Sequence, residues 1–179
     1  TDDPPIVAVG PHAGDPHYAP DAAHPTVIGP DSLVLIDLWA VEPGGTYGDL
    51  TWTAYTGNQP PAEVQRVFDV VTGARDAAVE FLGREVAAGR YPEGWQADQV
   101  ARQHIAAAGY GGQFTHRLGH SLGPVVHGYG ANLDGYETQD TRRLVPGLAF
   151  TIEPGVYLPG FGVRSEINLY MEAGRLEVT

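Results

Sequence analysis

Thr115-His116-Arg117-Leu118-Gly119-His120, Thr151-Ile152-Glu153-Pro154-Gly155 and Val163-Arg164-Ser165-Glu166-Ile167-Asn168 are the three pieces, all within Phe114–Tyr170, on which the reading of this chain turns. They set a His and two Glu at loop or strand ends in a stretch rich in Gly and Pro, and that is how a metal site looks. Outward from them, the apolar run Leu33-Val34-Leu35-Ile36 delivers Asp37, and Gly48-Asp49-Leu50-Thr51 delivers a second carboxylate. One imidazole among four acids suits hard or borderline divalent ions such as Mn²⁺, Co²⁺ or Zn²⁺. Four carboxylates cannot gather in a cleft unopposed, because each raises the pKa of the others, and two divalent cations balance them.

The surrounding sequence says how these residues are carried. Ile6-Val7-Ala8-Val9 reads as a short strand, followed by a Pro- and Gly-rich loop holding His12, His17 and His24. Leu33 to Val41 and Thr46 to Tyr55 read as two strands of a hairpin about Pro43-Gly44-Gly45, with Asp37 and Asp49 facing each other. From Pro60 to Gly89 the period changes. Val64, Val67, Phe68, Val71, Ala74, Ala78, Phe81, Leu82 and Val86 recur at three- and four-residue spacing, which predicts a long amphipathic helix ended by glycine. A second helix is predicted over about Gln96–Ala108, with Val100 and Ile105 inward and His104 a solvated helix histidine. His116 and His120 have the spacing of a zincin helix, but that motif needs Glu directly after the first His, where Arg117 stands.

The bulk properties narrow the function classes. At 179 residues the chain can bury a sizeable core as one domain. Ten Lys and Arg against 22 Asp and Glu give −12, which argues against a nucleic-acid or anionic-membrane partner. The absence of Cys excludes disulfides and thiolate zinc sites, and no signal peptide or membrane-length apolar run is present, so a cytoplasmic location is expected.

The ordered set Asp37, Asp49, His120, Glu153 and Glu166, with His127 seven positions after His120, resembles the pita-bread metallopeptidases: methionine aminopeptidase, Xaa-Pro aminopeptidase, prolidase and creatinase. The likeness covers nearly the whole chain and is strongest to the proline-directed members. It implies an α+β fold, a curved antiparallel sheet with helices over its outer face and metals on its inner face. It also implies a single catalytic domain over residues 1–179, here lacking the N-terminal helices of its first half and any separate N-terminal domain. By the same resemblance Asp37 binds one metal and His120 and Glu153 the other, Asp49 and Glu166 bridge, and Mn²⁺ is the first expectation ahead of Co²⁺ or Zn²⁺. Glu153 would also shuttle a proton, His116 and His127 would hydrogen-bond the substrate carbonyl, His17 is the remaining pocket histidine, and Arg164 would orient Glu166 from the same strand face or hold another pocket acid.

The implied activity is hydrolysis of the bond between an N-terminal residue and proline, as Xaa-Pro aminopeptidase or Xaa-Pro dipeptidase. The partner is therefore a peptide with proline second. A reading from another class is a pita-bread module that binds peptides without cutting them, which predicts lost ligands, and none is lost. Trp39 and Trp52 depart from residues common in the family, Gly and Arg, and are expected to alter the cleft or its surroundings. Because no helical stretch precedes Ile6, one sheet face is expected bare, covered by a homodimer partner or an N-terminal piece.

Overall fold

The computed structural model describes residues 4–179. Two amphipathic helices and nine strands, all paired antiparallel, make an α+β architecture. β1 (Ile6–Val9), β2 (Leu33–Ala40) and β3 (Gly48–Tyr55) form one sheet in sequence order. After α1 (Ala62–Ala87) and α2 (Gly94–Ala107) come β4 (Ser121–Leu122), β5 (Ala149–Ile152), β6 (Gly155–Leu158), β7 (Phe161–Arg164), β8 (Ile167–Glu172) and β9 (Arg175–Val178). These build a second sheet ordered β4-β5-β8-β9 and a separate β6-β7 hairpin.

Each element follows from its local sequence. α1 begins behind Pro60-Pro61 and buries Val67, Val71, Ala74, Ala78, Leu82 and Val86 completely, while Val64, Phe68 and Phe81 flank them half-buried. α2 starts earlier than its apolar spacing predicts. A reciprocal capping box explains this: Glu93 N–H donates to the Gln96 side chain at 2.9 Å, and the Glu93 carboxylate accepts the N–H of Gln96. Its inward face is Ala97, Ala101 and Ile105 rather than Val100, which is only half-buried, and His104 is exposed as expected. Both helices pack with Phe114, Leu118, Leu133, Phe150, Ile152, Leu169 and Met171 into one main core.

The hairpin register differs from the expected one by two residues. Gly44, at φ +80°, sits at the centre of the connection, so Asp37 lies opposite Thr51 and Asp49 lies opposite Trp39. The two acids are therefore diagonal neighbours on the inner face rather than direct partners. The same alternation sends Ile36, Leu38 and Trp52 to the outer face, where they are 37 %, 47 % and 72 % exposed. Trp52 accordingly lies away from the cleft, contrary to the sequence reading, whereas Trp39 lines it.

Candidate metal centre

The acids and imidazoles converge on one cavity of about 330 Å³ lined by Asp37, Asp49, His120, Glu153 and Glu166 and walled by His17, His116, His127, Arg164 and Trp39. Three long-range ties assemble it from the two sheets. Glu166 N–H donates to the Thr51 carbonyl at 3.2 Å, Asp49 N–H to Asn168 Oδ1 at 3.3 Å, and the Thr53 hydroxyl to the Arg164 carbonyl at 2.9 Å. Glu153 and Glu166 each stand just outside a strand, after β5 and after β7, where the backbone is free to aim them inward. Gly119 precedes His120 because there is no room for more: a Cβ would lie 2.1 Å from the Thr151 carbonyl oxygen.

His120 is oriented as a candidate ligand by its own hydrogen bonding. Nδ1 faces the Ser121 carbonyl at 3.2 Å and so carries the proton, which leaves Nε2 to point at Asp49 Oδ2 and Glu153 Oε1, 3.5 and 3.4 Å away. Ligand atoms of Asp49, His120 and Glu166 lie within 4.8 Å of one another. Asp37 Oδ1, Asp49 Oδ1 and Glu166 Oε1 are buried without a hydrogen-bond partner in the protein. Buried carboxylate oxygens are normally satisfied, so this donor set fits divalent cations.

The electrostatics agree. Burial raises the pKa of Asp37 and Glu153 and raises Glu166 well above its ordinary value, with mutual repulsion among the acids adding to each. For His120, burial works downward, but the hydrogen bond to Asp49 and the charge of Glu153 outweigh it and raise the pKa.

Arg164 ends β7 and is 3 % exposed, so it is a buried hub rather than a surface ion pair. Nη2 donates to Asp37 Oδ2 at 2.7 Å, Nη1 to the Tyr157 hydroxyl oxygen at 2.8 Å, and Nε to Thr51 Oγ1 at 3.0 Å. The Thr51 hydroxyl in turn donates a hydrogen bond to Glu166 Oε2 at 2.7 Å. Arg164 thus holds Asp37 directly and Glu166 only through Thr51, and it does not share a strand with Glu166. Thr51 and Tyr157 join the candidate site through these bonds, and sequence reasoning missed both. A signal existed for Tyr157, which lies two residues beyond Gly155 in the Glu-Pro-Gly piece and so on the same strand face.

The histidines divide by environment. His116 donates from Nδ1 to the Arg117 carbonyl at 2.7 Å and accepts the Tyr157 hydroxyl proton at Nε2, 2.8 Å away. Burial, with Arg164 nearby, pushes its pKa down to about 3, so it is neutral. His127 is exposed and meets His120 edge-on at 4.4 Å. Of the three loop histidines only His17 lines the cavity; His12 stacks on Tyr18 and His24 pairs with Asp21.

The family model described as Metallopeptidase family M24 matches residues 2–173. The chain belongs to that family. Its relatives within M24 include Xaa-Pro dipeptidase of Lactobacillus helveticus, 36% identical over 162 residues that make up 90% of this chain and 40% of that protein. Among solved structures, the prolidase from Pyrococcus horikoshii OT3 superposes with a TM-score of 0.83 at 31% identity, covering 97% of this chain and 46% of that one. The X-Pro aminopeptidase from Thermotoga maritima MSB8 gives 0.82 at 29%, again covering 97% and 46%. The M24 chain described here therefore spans less than half the length of these relatives, and it shares their pita-bread fold. Among the described residues, no helix is long and apolar enough to cross a membrane.

Proposed function

We propose that this chain forms the catalytic domain of a metal-dependent exopeptidase that hydrolyses the bond between an N-terminal residue and proline, as an Xaa-Pro aminopeptidase or Xaa-Pro dipeptidase. The observation that carries the reading is the grouping of ligand atoms of Asp49, His120 and Glu166 within 4.8 Å of one another, in a cavity where Asp37 Oδ1, Asp49 Oδ1 and Glu166 Oε1 are buried without a hydrogen-bond partner in the protein. Asp37, Asp49, His120, Glu153 and Glu166 would hold two divalent cations, Mn²⁺ first. When bound, such a pair supplies Lewis acidity toward the scissile carbonyl and lowers the pKa of a water.

The remaining chemistry belongs to the chain. A proline nitrogen leaves a tertiary amide and must be protonated as it departs. Glu153 suits that task, since burial raises its pKa and keeps a proton within reach. His127, exposed on the cavity wall, donates to the substrate carbonyl oxygen, and His17 borders the mouth. His116 can join His127 only by releasing Tyr157. His127→Ala is expected to keep its metal and lower kcat by roughly 10²–10³-fold. His116→Ala should also lower kcat, with a drop in melting temperature because its ring is buried between Tyr157 and Arg117. Metal loss in either variant, measured by elemental analysis, would exchange a supporting group for a ligand.

The direct test is metal content after dialysis against Mn²⁺ together with hydrolysis of an Xaa-Pro dipeptide and an Xaa-Pro tripeptide. Near-zero metal and no hydrolysis would leave the non-catalytic peptide-binding module as the reading.

Location in the cytoplasm and association through the bare face of the β1–β3 sheet complete the proposal. Ile36, Leu38 and Trp52 present an apolar patch of a kind that soluble monomers rarely leave uncovered. A second copy or an N-terminal segment of the same protein would cover it. Light scattering with mass spectrometry is expected to find an assembly larger than the 19.1 kDa of this chain. A fully active monomer of that mass would overturn the association.

A further inference from the structure

Behind the cavity, α2 carries an ion pair that the proposed chemistry leaves unused. Asp98 is 1 % exposed and receives two bonds of 2.9 Å from Arg102, Nε to Oδ2 and Nη2 to Oδ1. Each partner also reaches across to Phe114–Leu118, a segment outside the strands that leads into His120. Arg102 Nη1 donates to the Phe114 carbonyl at 2.9 Å and Nη2 to the His116 carbonyl at 2.8 Å. Asp98 Oδ1 accepts the Leu118 N–H at 2.9 Å, a hydrogen it shares with the Leu133 carbonyl at 3.0 Å. One i,i+4 pair thus fixes three backbone groups, one before His116, one of His116 itself and one after it.

The guanidinium has a second contact. Its carbon lies 4.2 Å from the Phe114 ring centre and 4.6 Å from that of Tyr136. Tyr136 belongs to a turn built by Asp134, whose buried carboxylate accepts the N–H groups of Tyr136, Glu137 and Thr138. The turn brings Glu137 to the cavity mouth, where Oε1 accepts the Arg117 N–H at 3.2 Å. Arg102 therefore touches both the segment that aims His116 and the turn that carries Glu137.

We infer that Asp98 and Arg102 are positioning residues of the active site, fixing the backbone that aims His116 and leads to His120 and seating the Glu137 turn against it. This rests on the peptidase reading above. A site must be held to within about half an ångström to work, and a segment with few ladder hydrogen bonds needs other anchors to manage that. Only a planar fork can reach a carboxylate, two carbonyls and two aromatic faces together; lysine keeps the charge and loses that geometry.

Arg102→Lys is expected to retain its metal, keep KM within about twofold, and lose roughly 10–10²-fold in kcat per metal-loaded molecule. Arg102→Ala should regain activity with added guanidinium and not with methylammonium at equal ionic strength. Unchanged kcat per loaded molecule in Arg102→Lys, or activity lost only in step with metal or folded protein, would assign the pair to stability alone. Amide exchange supplies a readout free of catalysis. The Leu118 N–H is expected to exchange at least about tenfold faster in Arg102→Lys while the amides of α1 keep their rates. Equal exchange at Leu118 overturns the positioning role even in an active enzyme. Faster exchange in the variant of a metal-loaded parent that itself cleaves no Xaa-Pro peptide would sink the peptidase reading instead. Asp98→Asn, which keeps an oxygen for Leu118, carries the same expectations should the Arg102 variants not fold.

Discussion

Asp49→Ala is expected to lower peptide hydrolysis by about three orders of magnitude or more and to leave the purified protein short of at least one metal ion. Asp49 is 6 % exposed, its Oδ2 faces His120 Nε2, and its Oδ1 has no partner in the protein. Its ligand atom is grouped with those of His120 and Glu166, so its removal opens the centre of the site rather than its rim. Unfolding is not expected to be the route to this loss. The metal-free variant gives up the contact of Asp49 with His120 but is relieved of a charge that raises Glu153 and Glu166, so it should melt close to the metal-free parent. Elemental analysis, kcat/KM and thermal melts on one preparation check all three statements. Trp52→Ala, three residues along the same strand but on the outer face, should keep full metal content. Two metals retained with near-normal turnover in Asp49→Ala would remove it from the ligand set.

Chelation should produce the second large effect, and its size should depend on pH. Asp37, Glu153 and Glu166 have folded pKa values raised by burial, and His120 is raised by its acidic neighbours. Groups raised in the folded state contribute stability that is fully present below their unfolded pKa and is lost as pH rises through the folded one. His116 has the opposite sign. Pushed down to about 3, it contributes stability present above its unfolded value of about 6.5 and lost as pH falls below that. Between about pH 6.5 and pH 8 the His116 contribution grows by only about 0.4 kcal/mol, the last half of its titration, so the loss from the raised groups, Glu166 and His120 above all, should make the metal-free protein melt lower as pH rises. Cations that bind the ionised acids reverse the trend. At about 1,000 times Kd one bound ion adds about 4 kcal/mol, which for a chain of this size is a rise on the order of 10 °C. Melts in EDTA and in Mn²⁺ at the two pH values measure this directly. Identical melting temperatures with and without metal at the higher pH would argue that the acids hold no cation.

The sequence by itself determined the two helices and the first three strands, and it named the candidate ligands. Three- and four-residue spacing of residues such as Val67, Val71, Ala74, Ala78 and Leu82 is a local property, and α1 buries those side chains. Asp37 after four apolar residues, Gly before His120 and the Glu-Pro-Gly turn are also readable within a few positions of each acid or imidazole. What only the tertiary structure decided is how Asp37, Glu166 and the Nε2 side of His116 are held, because the bonds that hold them join distant parts of the chain. Arg164 holds Asp37 across 127 positions, Thr51 bridges to Glu166 across 115, and Tyr157 reaches His116 across 41. The hairpin register turned on one residue: a connection centred on Gly44 pairs Asp37 with Thr51 and makes Asp49 its diagonal neighbour. No local pattern encodes that choice, since both registers keep the same residues on the inner face. The same holds for Asp98 and Arg102, which read along α2 as an ordinary helix pair and become a clamp only when Phe114, His116 and Leu118 fold against them. Side-chain period is a property of neighbours along the chain, whereas a buried polar group takes whichever partner the packed core brings within about 3 Å of it.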